Sequence, residues 1–281
     1  MGQTARDKVA LRRHSHRTQT VSRPRPNRSR LSLLEICCGP RSRLSAEWAR
    51  RGRTAVRVVL RPPSARAQPP PRTGGGHRTG GNIRAGRVAT WYLNLHNRSD
   101  IHALGHFVDE VCPVDVWTSP PCRTRTRAQH LVGHRRRTDR PQGEKGQRRV
   151  LGVCRRILRK QALAGRRAHH EQSDMAREPF DSNNRPWGIK RKAHAATVHG
   201  CAVGLRERGT RRRLLRKAWW IQTTSGTLVT QLDQLRCNHG HKHGKCLGRI
   251  QTEASAIYTP QLVSTIADVL IGHAGGCRAR G

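Results

Sequence analysis

The chain is poor in what a protein core is built from. Aromatic residues occupy 4% of its 281 positions, and hydrophobic residues of every kind 34%. That limits the apolar surface available to offset chain entropy, so ordered islands inside disordered chain are expected. Acidic residues are scarce too: 17 Asp and Glu stand against 56 Lys and Arg, for a formal charge of +39 and a pI near 11.8. A chain so basic binds polyanions by counterion release whatever its fold, which makes nucleic acid the expected partner. No run approaches the roughly 20 apolar residues that span a bilayer, so no membrane partner is expected. An N-terminal apolar segment suited to secretion is also missing, and the nine cysteines follow no regular framework. Both point to an intracellular, reducing location. The basic run from Arg12 to Arg17 would suit nuclear import, although the same bias recurs along the whole chain.

Ordinary composition returns in blocks. Residues 1–30, rich in Arg, Ser, Thr and Pro, read as a disordered basic arm. Then comes Leu33-Leu34-Glu35-Ile36-Cys37-Cys38-Gly39, an apolar run ending in glycine and followed by helical spacing from Leu44 to Arg51. This predicts a buried parallel strand, a tight turn and a helix. A Val-rich second strand follows over Thr54 to Leu60, and residues 61–87 turn to Pro, Gly and Arg. Gly74-Gly75-Gly76 has no strand before it, so this stretch reads as linker and not as a phosphate loop. Ile101 to Val111 is an amphipathic helix by its spacing. It leads to Val114-Asp115-Val116-Trp117-Thr118-Ser119-Pro120-Pro121-Cys122, a second apolar run whose proline-stiffened turn presents one thiol.

Residues 31–131 therefore read as an α/β segment interrupted by the linker, and 132–184 as a basic segment of low order. Within the latter, Val150 to Leu163 has the spacing of a basic helix, with Leu151, Cys154, Leu158 and Gln161 on one side. Residues 185–274 read as a small α+β module, with strands at Ala195 to Leu205 and Ala218 to Gln222 and helices at Thr227 to Leu235 and Leu262 to Ile271.

In open α/β sheets ligands sit at the carboxyl ends of strands, where the chain is exposed and glycine lets the backbone approach closely. Glu35, Cys38 and Gly39 at one such end, and Pro120, Pro121 and Cys122 at the other, resemble the cytosine-C5 DNA methyltransferase family over residues 31–59 and 100–131. The resemblance implies a partial Rossmann-like sheet, DNA as the partner, and S-adenosylmethionine held near Glu35, Cys38 and Gly39. It implies Cys122 as the nucleophile and Glu171 as the second catalytic carboxylate. Arg123, Arg125 and Arg127 would raise the thiolate fraction and meet phosphates. The target base would be extruded from the duplex.

The chain also departs from the family. Arg-Thr-Arg-Thr-Arg follows Cys122 where the family has Gln, an aromatic residue and Ser, and Gly39 alone remains of the glycine-rich turn. Leu60-Arg61-Pro62 replaces the acidic residue that would hold the cofactor ribose. From the residues alone, Cys122 also reads as a structural cysteine after a strand. Glu171 reads better as a solvated loop glutamate, because no apolar strand delivers it.

One further cluster carries chemistry. Cys237-x-His239-x-His241-x-His243-Gly244-x-Cys246 is the densest set of thiolate and imidazole ligands in the chain. Zinc is the metal it suits, with Cys237, His239, His243 and Cys246 as the candidate set. Alternate histidines on one segment converge only if it turns tightly; otherwise the stretch is a polar turn. From Pro186 to Ala267 the chain resembles a segment of copia-type retroelement polyproteins, which assigns no chemistry.

Three classes of function are consistent with these features: a DNA cytosine-5 methyltransferase, active or decayed; a non-catalytic basic nucleic-acid binder; and a retroelement-derived remnant. Arg-, Pro- and Gly-rich tracts between normal blocks fit embedded modules in a disordered basic protein. They also fit GC-rich DNA translated partly out of frame.

Overall fold

The computed structural model describes residues 31–61, 70–71, 86–121, 140–173, 193–208, 213–238, 240–244, 246 and 255–272. They form an α/β protein with a Rossmann-like sheet. Strands β1 (Leu33–Ile36), β2 (Ala55–Leu60), β3 (Val88–Leu93), β4 (Asp115–Thr118), β5 (Arg167–Ser173), β6 (His194–His199) and β7 (Ala218–Thr223) lie in the order β3-β2-β1-β4-β5-β7-β6. The first five are parallel, and β7 runs antiparallel to both of its neighbours. The helices are α1 (Arg43–Arg50), α2 (Arg98–Val111), α3 (Arg140–Leu163), α4 (Gly226–Asp233) and α5 (Pro260–Gly272).

Side-chain alternation along the strands divides the core in two. Leu34, Ile36, Val56, Val58 and Val116 face α2 and α3, whereas Leu33, Ala55, Trp117, Trp219 and Ile221 face α1, α4 and α5. Because both faces are covered, β1 is buried at all four positions and is apolar apart from Glu35. Local signals set the helix starts. Ser42, Asn97 and Ser225 accept from the backbone N–H groups of Leu44, Ser99 and Leu228 respectively.

The expected helix over Val150 to Leu163 belongs to a longer one, α3, which begins at Arg140. Residues 167–173, inside the stretch read from sequence as low in order, form a central strand. The expected strand over Ala195 to Leu205 ends at His199, where a 3-10 turn over Gly200–Val203 takes over. Both β6 and β7 continue the same sheet as β1 to β5.

From β1 the chain moves outward through β2 to β3, then returns to place β4 on the other side of β1. The crevice between β1 and β4 is thus the topological switch point, where open α/β sheets bind ligands.

Candidate functional site

Two strand ends meet at this switch point. Ile36 pairs with Thr118 and Thr118 with His170, so β1 and β4 release their turns side by side, next to the last residues of β5. The Ser119 N–H donates to Ile36 O at 3.0 Å and ties the second turn to the first.

The β1 turn is shaped from beneath. Glu35 is buried, accepting from Ser42 Oγ at 2.5 Å and from the Ser45 N–H at 3.2 Å. Burial raises its carboxyl above the usual range, against the pull of those bonds and of Arg57. Arg57, on β2, completes the support: its guanidinium donates to Pro40 O, to Ser42 O at 2.9 Å and to Ser45 Oγ at 2.9 Å. The residue that reverses the chain is Cys37, in the left-handed region at φ 64°, and not Gly39. Cys38 points inward, its thiol 3.7 Å from Glu35 O and from Val58 O, and burial pushes that thiol well up. Gly39 faces open space: a side chain added there would meet nothing within 4 Å.

The β4 turn runs through Ser119 and Pro120 to Pro121. Cys122, Arg123, Arg125 and Arg127 lie outside the described residues.

Glu171 is not a loop residue. It sits on β5, opposite Ile221 of β7, and accepts from Tyr258 Oη at 3.1 Å. Desolvation raises its carboxyl, and Lys217, Tyr258 and Ser119 oppose that rise. Tyr258 also lies 3.0 Å from Ser119 Oγ and accepts from Trp117 Nε1 at 3.1 Å. Nearby, Lys217 Nζ donates to Ser255 O at 2.7 Å. Ser119, Glu171, Lys217 and Tyr258 thus form one polar group beside the two turns. Sequence reading missed Tyr258 and Lys217, since nothing in their neighbourhood marks them and they arrive from elements far along the chain.

β5 escaped notice because most of its buried side chains are polar. His169 lies 3.1 Å from Asp115 on β4 and 2.7 Å from Thr223 on β7, and it stacks on Trp117. His170 lies 2.7 Å from Thr118 Oγ1. At the end of β2, where the sequence lacks a ribose-binding carboxylate, Arg61 pairs with Asp100 at 3.3 Å.

The thiolate and imidazole cluster differs from the sequence expectation. Cys237 and His243 come together, His239 lies outside the described residues, and the Cys246 thiol is 3.2 Å from Ser255 Oγ. Cys201 and His241 complete the group instead: one ligand atom from each of Cys201, Cys237, His241 and His243 lies within 4.8 Å of all the others. His241 was visible in the alternating run, but Cys201 is distant in sequence and had no local signal.

Among the described residues no helix is long and apolar enough to cross a membrane. No family model and no curated protein matches the chain.

Proposed function

We propose that this chain is an S-adenosylmethionine-dependent DNA cytosine-5 methyltransferase, acting at the carboxyl edge of β1, β4 and β5. One juxtaposition carries the reading. The β1 turn and the Ser119-Pro120-Pro121 turn that leads to Cys122 leave neighbouring strands, and Glu171 sits on the next strand, β5, in the chain order that the resemblance implies. In support, the first five strands take the 3-2-1-4-5 order of dinucleotide-binding sheets, whose ligands occupy this crevice.

The β1 turn suits a nucleoside cofactor in its open approach at Gly39, and Glu35 and Arg57 hold that turn from below. The ribose has no carboxylate at the end of β2, where Arg61 and Asp100 occupy each other. Bound there, the cofactor supplies an electrophilic methyl group. The protein's part is to activate the base. Cys122, as thiolate, adds to C6 of an extruded cytosine and turns C5 into a nucleophilic carbon. Glu171, whose carboxyl burial raises above its ordinary value, would in its protonated form donate to N3 and draw electron density from the ring. Once C5 carried the methyl group and the demethylated cofactor had departed, water would take the C5 proton, N3 would return its proton to Glu171, and expulsion of the Cys122 thiolate would restore the ring.

A DNA partner is further supported by α3. Lys145, Arg148, Arg156 and Arg159 are exposed there, and their spacing sets them on one stripe suited to a phosphate backbone.

Calorimetric titration with S-adenosylmethionine, together with covalent trapping on DNA containing 5-fluorocytosine, tests the reading. Binding and an adduct that disappears in Cys122→Ala are expected. Folded protein that neither binds the cofactor nor forms the adduct would overturn it.

A further inference from the structure

Four metal-ligand side chains converge at the sheet edge that β6 forms, and methyl transfer makes no use of them. Cys201 sits on the 3-10 turn that follows β6, and Cys237 lies just beyond α4. His241 and His243 come from the segment that folds back over them. Cys237 Sγ is 3.3 Å from His243 Nε2 and 4.0 Å from His241 Nε2. The two imidazole rings, with centroids 4.5 Å apart, are inclined at 62° and so are not stacked.

These separations match the size of a tetrahedral zinc shell. Bonds of about 2.3 Å to sulfur and about 2.0–2.1 Å to nitrogen place neighbouring ligand atoms roughly 3.3–3.8 Å apart. A contraction of about an ångström at most brings every pair, now within 4.8 Å, to that range. The donor set selects the metal. Two thiolates and two imidazoles with no carboxylate suit zinc and not calcium or magnesium.

The segment is held in place by contacts outside the ligand set. The Cys237 N–H donates to His199 Nδ1 at 2.8 Å, and the Gly244 N–H donates to Leu214 O at 2.8 Å. The loop is thereby anchored at both ends, which reduces the ordering that metal binding would have to impose. Gly200 is needed at the turn, since a Cβ there would lie 2.6 Å from Leu205 Cδ2 and 2.9 Å from Leu215 O.

We infer that Cys201, Cys237, His241 and His243 form a closed structural zinc site. It clasps the turn after the edge strand β6 to the segment beyond α4. Four protein ligands complete the tetrahedron and leave no position for substrate.

The test is metal analysis of the full chain after dialysis against metal-free buffer, followed by cobalt(II) substitution. One zinc per chain is expected, and cobalt should give the visible absorption of a tetrahedral site with thiolate charge transfer. Cys237→Ser and His241→Ala should each lower the bound zinc at least about tenfold, whereas Cys246→Ala should retain it. His243→Cys guards against simple misfolding: it should keep the metal and strengthen the thiolate band, which a collapsed fold would not do. The inference is overturned by a wild-type chain that holds no zinc after refolding with it, by a non-tetrahedral cobalt spectrum, or by Cys246→Ala losing as much metal as Cys237→Ser.

Discussion

Tyr258 donates its hydroxyl to Glu171 Oε2 at 3.1 Å and joins the segment before the last helix to the end of a central strand. That bond favours the ionised carboxylate, whereas burial favours the neutral acid. Tyr258→Phe removes the bond and leaves the burial, so the Glu171 pKa should rise further. If the protonated form serves the base, the alkaline limb of the trapping rate should move up by about one pH unit. An unmoved limb in a folded variant would separate Glu171 from that role.

Glu171 itself should oppose stability. Its folded pKa is raised, so stability is fully present below the unfolded carboxyl pKa and is lost as pH rises through the folded value. Glu171→Gln should therefore raise the melting temperature at neutral pH, flatten the stability profile above the ordinary carboxyl pKa, and weaken trapping. Thermal melts across pH, run beside the trapping assay, would show whether the gain and the loss occur together.

The opposite sign applies to His170. Burial, with Arg155 nearby, pushes its imidazole down from 6.5 to about 3. Stability tied to this group is present above pH 6.5 and is lost as pH falls toward 3, by an amount on the order of a few kcal/mol. Chemical denaturation between those limits should show the decline, and His170→Asn should lessen it.

Arg57 makes a prediction about the cofactor turn. Lysine keeps its charge but cannot reach Pro40 O, Ser42 O and Ser45 Oγ together. Arg57→Lys should cost about 1.5–3 kcal/mol of stability and weaken S-adenosylmethionine binding, with the sheet unchanged by circular dichroism.

How far the sequence reveals this arrangement depends on what each element buries. β1 and β2 bury mostly aliphatic side chains, β4 buries Val116 and Trp117 in a short apolar run, and α2 lays its apolar stripe on the sheet, so hydropathy finds them. β5 buries His169, His170 and Gln172, which hydropathy treats as solvent-facing, and its strand identity rests on partners such as Asp115, Thr118 and Thr223. The site divides in the same way. Glu35, Gly39 and the proline turn were legible as local motifs, but Tyr258 reaches Glu171 across 87 residues. The metal ligands follow suit: Cys237 and His243 were found in one run, whereas Cys201 depends on how the 3-10 turn meets that run.

The first helix leans on the last. Arg43 donates to Tyr258 O at 3.2 Å, and Arg51 pairs with Asp268 at 2.7 Å and donates to Ser264 Oγ at 3.3 Å. On a ribosome the β1 turn emerges early, but the residues that brace α1 and bond Glu171 follow some two hundred positions later. Contacts so distant in sequence form slowly. A growing chain would therefore carry its cofactor turn well before it could use it, and a product cut short of Tyr258 would keep the turn but leave Glu171 without its tyrosine.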